Sequence, residues 1–364
     1  MMHGSPWNDH FVTATTTEPA PPARLRDQAM ALGVGAIGGG LFFALAMPLA
    51  WMMGSMVFVS VLALSGQTPV VDKRFRGVMV AILGVFLGSA FSPDVIDRAV
   101  QWAQALLVLF VYIVIGSGIV YLYLRRVAKF DPVTSYFAST PGGLSEMVLA
   151  SEALGGDPRR VSLVHTTRVL LIVLIIPFWF RLVMDVDVPA MMPPKAGVVP
   201  QVQDWLILVA CAAIGWPLAR LCRIPAAALV GPMIVSAVAH LLGLTYVTPP
   251  PIAVAAGQLV LGASVGCRFA GTALTLVWQT VRTAFVTTLM LLGLAVIAML
   301  LFSDMIGVQP EAMALVLSPG GLAEMSLIAL ALGIDTAFVS TMHVFRIAIV
   351  VILAPSLYRI FRRG

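Results

Sequence analysis

Charge is scarce in this 364-residue chain. Lys and Arg together number 22 and Asp and Glu 17, so charged side chains are 11% of the sequence while hydrophobic ones are 60%. An average soluble domain carries about 25% charged residues, and so little charge cannot cover a water-exposed surface. That excludes a soluble enzyme and a soluble DNA-binding domain. Cysteine is scarce too. Cys211, Cys222 and Cys267 form no CxxC and leave an odd number, which excludes a disulfide framework and a cysteine-based zinc site. Each is expected to be free and embedded among apolar residues. The motifs GxxxxGK[ST] and HExxH are absent, so no phosphate loop or zinc-protease helix is expected. Residues 1–27 lack the basic start and apolar core of a signal peptide and read as a Thr- and Pro-rich disordered cytoplasmic tail.

Apolar length is what the chain has in abundance. At about 20 apolar residues per crossing, it has room for about ten membrane helices, and membrane lipid becomes its first expected partner. The net charge of +5 then reads as basic residues in cytoplasmic loops rather than as a nucleic-acid surface.

Self-similarity organises those helices. Residues 141–177 align without gaps to 319–355, and 17 of these 37 positions are identical. The shared residues include Pro141/Pro319, Gly142/Gly320, Gly143/Gly321, Glu146/Glu324, Asp157/Asp335, His165/His343 and Arg168/Arg346. Shared Leu and Val in two membrane helices mean little, but a shared Glu, His and Arg mean duplication. Upstream, AMPLAWMMGSM at 46–56 matches RIPAAALVGPM at 223–233, and ILGVFLGSAF at 82–91 matches VLGASVGCRF at 260–269. The sequence therefore divides into a tail at 1–27, a membrane repeat at 28–185, a Pro-rich linker at 186–203 and a second membrane repeat at 204–364.

Each half reads as five long apolar segments and one broken one. The long segments are 28–47, 49–66, 77–93, 101–124 and 161–184, then 204–222, 225–243, 252–268, 275–301 and 336–358. The broken ones, 130–156 and 308–334, divide at Pro-Gly-Gly into arms of about 12 residues, which suit a re-entrant hairpin better than a span. Five crossings per half invert the second half. With that arrangement 17 of the 22 basic residues fall on the cytoplasmic side, Arg76 and Arg268 among them. Arg98, Arg181 and Lys195 fall outside, and Arg168 and Arg346 lie within helices. The positive-inside rule favours this model over one in which the broken segments cross fully. The expected fold class is an all-α polytopic membrane protein of two inverted-topology repeats, with both termini cytoplasmic.

The same residues carry the candidate chemistry. Proline suits the first helical position, glycines allow close approach, and the free N–H groups at a helix start favour an anion. Two broken helices at equivalent positions point to a transporter's central site, although a tight packing turn reads the same way. Glu146 and Glu324 follow one turn in, and an ionisable residue within the membrane is a functional candidate by default. His165 and Arg168 sit three apart on one helix face, as do His343 and Arg346. One reading locks helix to helix through Glu146–Arg168 and Glu324–Arg346 pairs. The other makes Glu and His proton-titrating groups beside an Arg that holds an anionic solute. Asp157 and Asp335 are expected to cap the helices they precede. Gly84/Gly88 and Gly262/Gly266 form GxxxG spacings expected to serve helix packing.

The doubled PGGLxEM…H..R pattern, with PAAALVGPM and VLGASVG upstream, resembles the AbrB duplication family of bacterial membrane proteins. The likeness runs from about residue 30 onward. It implies a polytopic protein of the bacterial inner (plasma) membrane whose repeat pattern is carried by Pro141, Gly142, Gly143, Glu146, His165, Arg168 and their partners Pro319, Gly320, Gly321, Glu324, His343, Arg346. Members are labelled regulators of gene expression or ammonia monooxygenases. Copper oxygenase chemistry needs several close imidazoles, and this chain has five His in all. Direct regulation of DNA needs a basic reading module that no soluble segment here can hold. The expectation is therefore a secondary transporter of a small solute, with proton coupling and without metal, cofactor or nucleic acid. The first alternative is a membrane sensor that affects gene expression indirectly, and the second an ammonia monooxygenase-like membrane enzyme. A homo-oligomer is compatible with each.

Overall fold

The computed structural model describes residues 25–91, 99–184 and 200–363. Most of the expected tail and linker lie outside the described residues, as do Arg24, Arg98 and Lys195. Among the described residues there are fourteen α-helices, one 3-10 turn and no strand. The first half holds α1 (Leu25–Ala44), α2 (Ala50–Leu64), α3 (Lys73–Gly88), α4 (Ala99–Arg126), α5 (Pro132–Ser139), α6 (Leu144–Ala153) and α7 (Pro158–Val183). The second holds α8 (Val202–Leu221), α9 (Ala227–Leu241), α10 (Pro251–Gly266) with a 3-10 turn at Cys267–Phe269, α11 (Leu274–Ile306), α12 (Pro310–Leu317), α13 (Leu322–Ala331) and α14 (Thr336–Arg363). Helix α1 takes in Leu25, Arg26 and Asp27, three residues expected in the tail.

Seven helices are long and apolar enough to cross a membrane: α1, α4, α7, α8, α10 with its 3-10 extension, α11 and α14. The chain is an all-α polytopic membrane protein. Helices α2, α9 and α3 are shorter than the segments expected for them, at 15, 15 and 16 residues. Left-handed backbone explains the first two. Leu49 and Ala226, each following a proline, hold φ of 44° and 52° and delay the helix start. Helix α3 starts ahead of its expected segment, where the Asp72 carboxylate accepts from the N–H groups of Arg74 and Phe75, and ends short of it, at Gly88.

Helix lengths run 20, 15, 16, 28, 8, 10 and 26 residues through the first half. In the second they run 20, 15, 16, 33, 8, 10 and 28. The halves do not sit side by side but interlock: α3 packs on α9, and α10 packs on α2. The GxxxG glycines make both contacts. Gly84 and Gly88 lie against the backbone oxygens of Leu229 and Met233, and Gly262 and Gly266 against those of Met52 and Met56. Farther along, α4 packs on α11, where the Tyr112 O–H donates to the Leu291 carbonyl at 3.2 Å. Tyr136 of α5 donates to the Ala354 carbonyl of α14 at 3.0 Å. All three cysteines are free. Cys211 is buried and Cys267 half-buried, but Cys222 is exposed at the end of α8, contrary to the expected apolar setting.

Candidate functional site

The broken segments fold as two short helices each. In the first, the Asp131 carboxylate accepts from the Thr134 N–H at 2.9 Å and Pro132 opens α5, which stops at Ser139. The chain then turns through Pro141 and Gly142 to Gly143, the N-cap of α6. In the second, Pro310 opens α12 and Gly321 is the N-cap of α13. Pro141 and Pro319 thus lie ahead of the cap, not at the first helical position expected for them. Both cap glycines have negative φ, −61° and −78°, a conformation open to any residue. What glycine supplies here is room. A Cβ at Gly143 would strike Oε2 of Glu146, and one at Gly321 would strike Oε2 of Glu324. Each carboxylate therefore folds back over the start of its own helix, where the free N–H groups and the dipole favour negative charge. Left-handed glycines, Gly155 at φ 86° and Gly333 at φ 67°, follow the two helices. Asp157 then caps α7 through the N–H groups of Arg159 and Arg160, and Asp335 accepts from the Phe338 N–H in the first turn of α14.

Both turns open on one cavity of about 350 Å³. Eleven of the twelve expected site residues line it: Pro141, Gly142, Gly143, Glu146, His165 and Arg168 from the first half, and Pro319, Gly320, Gly321, Glu324 and Arg346 from the second. The twelfth, His343, does not. It is fully buried, its Nε2–H donates to the Leu315 carbonyl at 3.2 Å, and its Nδ1 has no partner.

The other imidazole is fixed as well. A guanidinium can only donate, so His165 Nδ1 accepts from Arg168 Nη2, and Nε2 donates to the Phe137 carbonyl at 2.9 Å. His165 is a neutral Nε2–H tautomer that aims Arg168 at the cavity. Arg346 does something different. Its Nη1 donates to the Ser318 carbonyl at 2.6 Å and its Nη2 to the Gly320 carbonyl, clamping the second Pro-Gly-Gly turn. In the first half the carbonyl equivalent to Ser318's, that of Thr140, accepts from the Gly142 N–H at 2.9 Å.

The expected Glu–Arg pairs do not form among the described residues, where Arg160 pairs with Asp157 at 3.4 Å. Each glutamate is instead turned to its own helix start. Arg76, Arg268 and Arg346 nevertheless line the same cavity as Glu324. The halves differ in depth too. Leu322 through Ala329 of α13 are all buried, whereas in α6 only Met147 and Ser151 are.

Two cavity residues escaped the sequence reading. Arg76 of α3 and Arg268 of the 3-10 turn line the site, although charge placement put them with the loop residues. Their repeat-equivalent positions hold Val254 and Ala90, so comparing the halves could not select them. Arg268 lies two residues past Gly266 of a GxxxG spacing, which was the available signal; Arg76 had none.

The fold and the cavity define a class: a polytopic helical membrane protein with one charged chamber fed by two broken helix pairs. The sequence pattern of the AbrB family, described as Transition state regulatory protein AbrB, matches residues 51–362. The chain belongs to that family. It is similar to protein YhjN of Bacillus subtilis (strain 168), 26% identical over 90% of this chain and 91% of the relative. It is also similar to a protein of Escherichia coli (strain K12) provisionally named regulator AbrB, 23% identical over 87% of this chain and 91% of the relative. The copper centre implied by the monooxygenase label for such proteins does not fit these residues. Among those described, no group of three or more His, Cys, Asp or Glu could hold a metal ion.

Proposed function

We propose that the protein is a secondary transporter of a small anionic solute in the bacterial inner (plasma) membrane, and not an enzyme. One observation carries the reading. Equivalent Pro-Gly-Gly turns from the two halves meet at a single cavity, and their equivalent arginines are in unequal hydrogen-bond states. Unequal states of two related halves are what alternating access requires when inverted repeats rock about a central site. One turn is clamped by Arg346 under a buried α13; the other is unclamped beside a half-exposed α6. In the opposite state Arg168 would clamp the first turn, and Arg346 would turn to His343 Nδ1, the buried acceptor now without a partner. Both termini are cytoplasmic in this reading.

Glu146 and Glu324 supply the proton coupling. Each carboxylate occupies the helix start that an incoming anion would otherwise take, so protonation releases that place as the solute enters. Purified protein in liposomes on a solid-supported membrane, given concentration jumps of malonate, succinate, citrate and phosphate, should produce a displacement current with at least one anion. The current should require Arg168 and lose its dependence on a pH gradient in Glu146→Gln and Glu324→Gln. Unchanged coupling in both variants would remove that role. The regulator names carried by the family motivate a second reading, in which the same cavity binds a ligand and signals to a partner through cytoplasmic loops. Ligand binding without flux would select it.

A further inference from the structure

The cavity holds more positive charge than its own carboxylates balance. Arg76, Arg168, Arg268 and Arg346 line it against Glu146 and Glu324. With both glutamates ionised, as they are before any proton is taken up, and His165 held neutral by its two hydrogen bonds, two positive charges are left over. Three of these arginines also hold buried donor groups without a partner: Arg76 Nε, Arg168 Nη1 and Arg346 Nε. Arg168 and Arg346 are only 2% and 3% exposed. A buried cationic donor left unpaired is costly, and here three converge from α3, α7 and α14. The helix starts cannot relieve this, because Glu146 and Glu324 already cover them. The unmet demand is for acceptor oxygens and two negative charges in a space of about 350 Å³, near the lower end for small-molecule sites.

We infer that the ligand is a small dianion, a dicarboxylate or similar molecule of a few carbons, and that Arg76 and Arg268 are the residues that select two charges over one. This rests on the transport-site reading above and sharpens it. Arg168 and Arg346 recur between the halves and, set against Glu146 and Glu324, leave no surplus charge. Arg76 and Arg268 recur nowhere, share the cavity with Glu324, and, with both glutamates ionised, bring the site's charge surplus from zero to two. Guanidinium groups suit the task, since each offers a planar fork to a carboxylate.

The test uses the purified full-length protein in detergent and matched probes: succinate as an extended dianion, sulfate as a compact one, and succinamate as a monoanion of nearly the same shape as succinate. Binding is read as a saturable rise in unfolding temperature. Succinate or sulfate should stabilise the protein with an affinity at least about tenfold above that for succinamate, one charge-assisted contact being a factor of this order. Arg76→Gln and Arg268→Gln should erase that preference by weakening succinate far more than succinamate, and Arg76→Lys should restore part of it. Equal binding of succinate and succinamate would overturn the dianion while leaving an anion site. An undiminished preference in both Gln variants would overturn the role of Arg76 and Arg268. Failure of every anion to stabilise a protein that unfolds cooperatively would overturn both the dianion and the anion site. Dianion binding without current in liposomes would leave this inference standing and remove transport.

Discussion

A glycine and a glutamate three residues apart form the smallest unit of the site. Glu324 is 7% exposed, and a carboxylate in such surroundings needs compensation. The start of its own helix provides it, but only because Gly321 leaves the space. Alanine at 321 would push the carboxylate away, so Gly321→Ala should lower stability by about 1–3 kcal/mol, the usual cost of overpacking. In a Glu324→Ala background nothing remains to collide with, and the same change should cost much less. A double-mutant cycle by unfolding in detergent measures the difference, which neighbouring residues place at about 0.5–3 kcal/mol. Strict additivity would mean that the glycine serves some other contact. At this scale the sequence was legible where the halves agree. Repetition singled out Gly321, Glu324 and Arg346, but gave no sign that the glutamate would turn to its own helix start rather than to the arginine. Arg76 and Arg268 stayed hidden because loop charges and cavity charges look alike in a count.

Between helices, the glycines sort into those that admit a neighbour and those that do not. Gly262 of α10 lies against the Met52 carbonyl and the Ser55 hydroxyl of α2, whereas a Cβ at Gly33 of α1 would have no heavy atom within 4 Å. Gly33→Ala should therefore stabilise the protein by about 0.5–1 kcal/mol, the ordinary gain from replacing glycine inside a helix. Gly262→Ala should destabilise it, because backbone cannot step aside as a flexible side chain can. Midpoints of unfolding in detergent, compared side by side, check both signs, and a gain from Gly262→Ala would contradict the close packing of α10 on α2. The GxxxG spacing announced close packing but not its partner, since spacing says nothing of which helix approaches. Helix ends were less legible than helix existence. The left-handed residues Leu49 and Ala226 trim α2 and α9, and neither Leu nor Ala signals such a conformation.

For the molecule as a whole, the open question is which way each half faces, and the difference between α6 and α13 makes it measurable. Ser145 and Ala323 both line the cavity, one position along each short helix. Ser145 is exposed while Ala323 is buried. With Cys211, Cys222 and Cys267 replaced, Ser145→Cys should react rapidly with a membrane-impermeant thiol reagent from one side of a proteoliposome. Ala323→Cys should be protected in the same state. If the halves are inverted and exchange roles, conditions that bury α6 should expose the cysteine at 323, and to the opposite side. Removing the second clamp by Arg346→Gln is the most direct such condition, because it frees the carbonyls of Ser318 and Gly320 that hold the buried turn. It should raise labelling at 323 severalfold and lower it at 145. Labelling of both positions from the same side would sink the inverted arrangement and the alternating mechanism with it. A cavity that binds without opening to two sides would then leave sensing as the function.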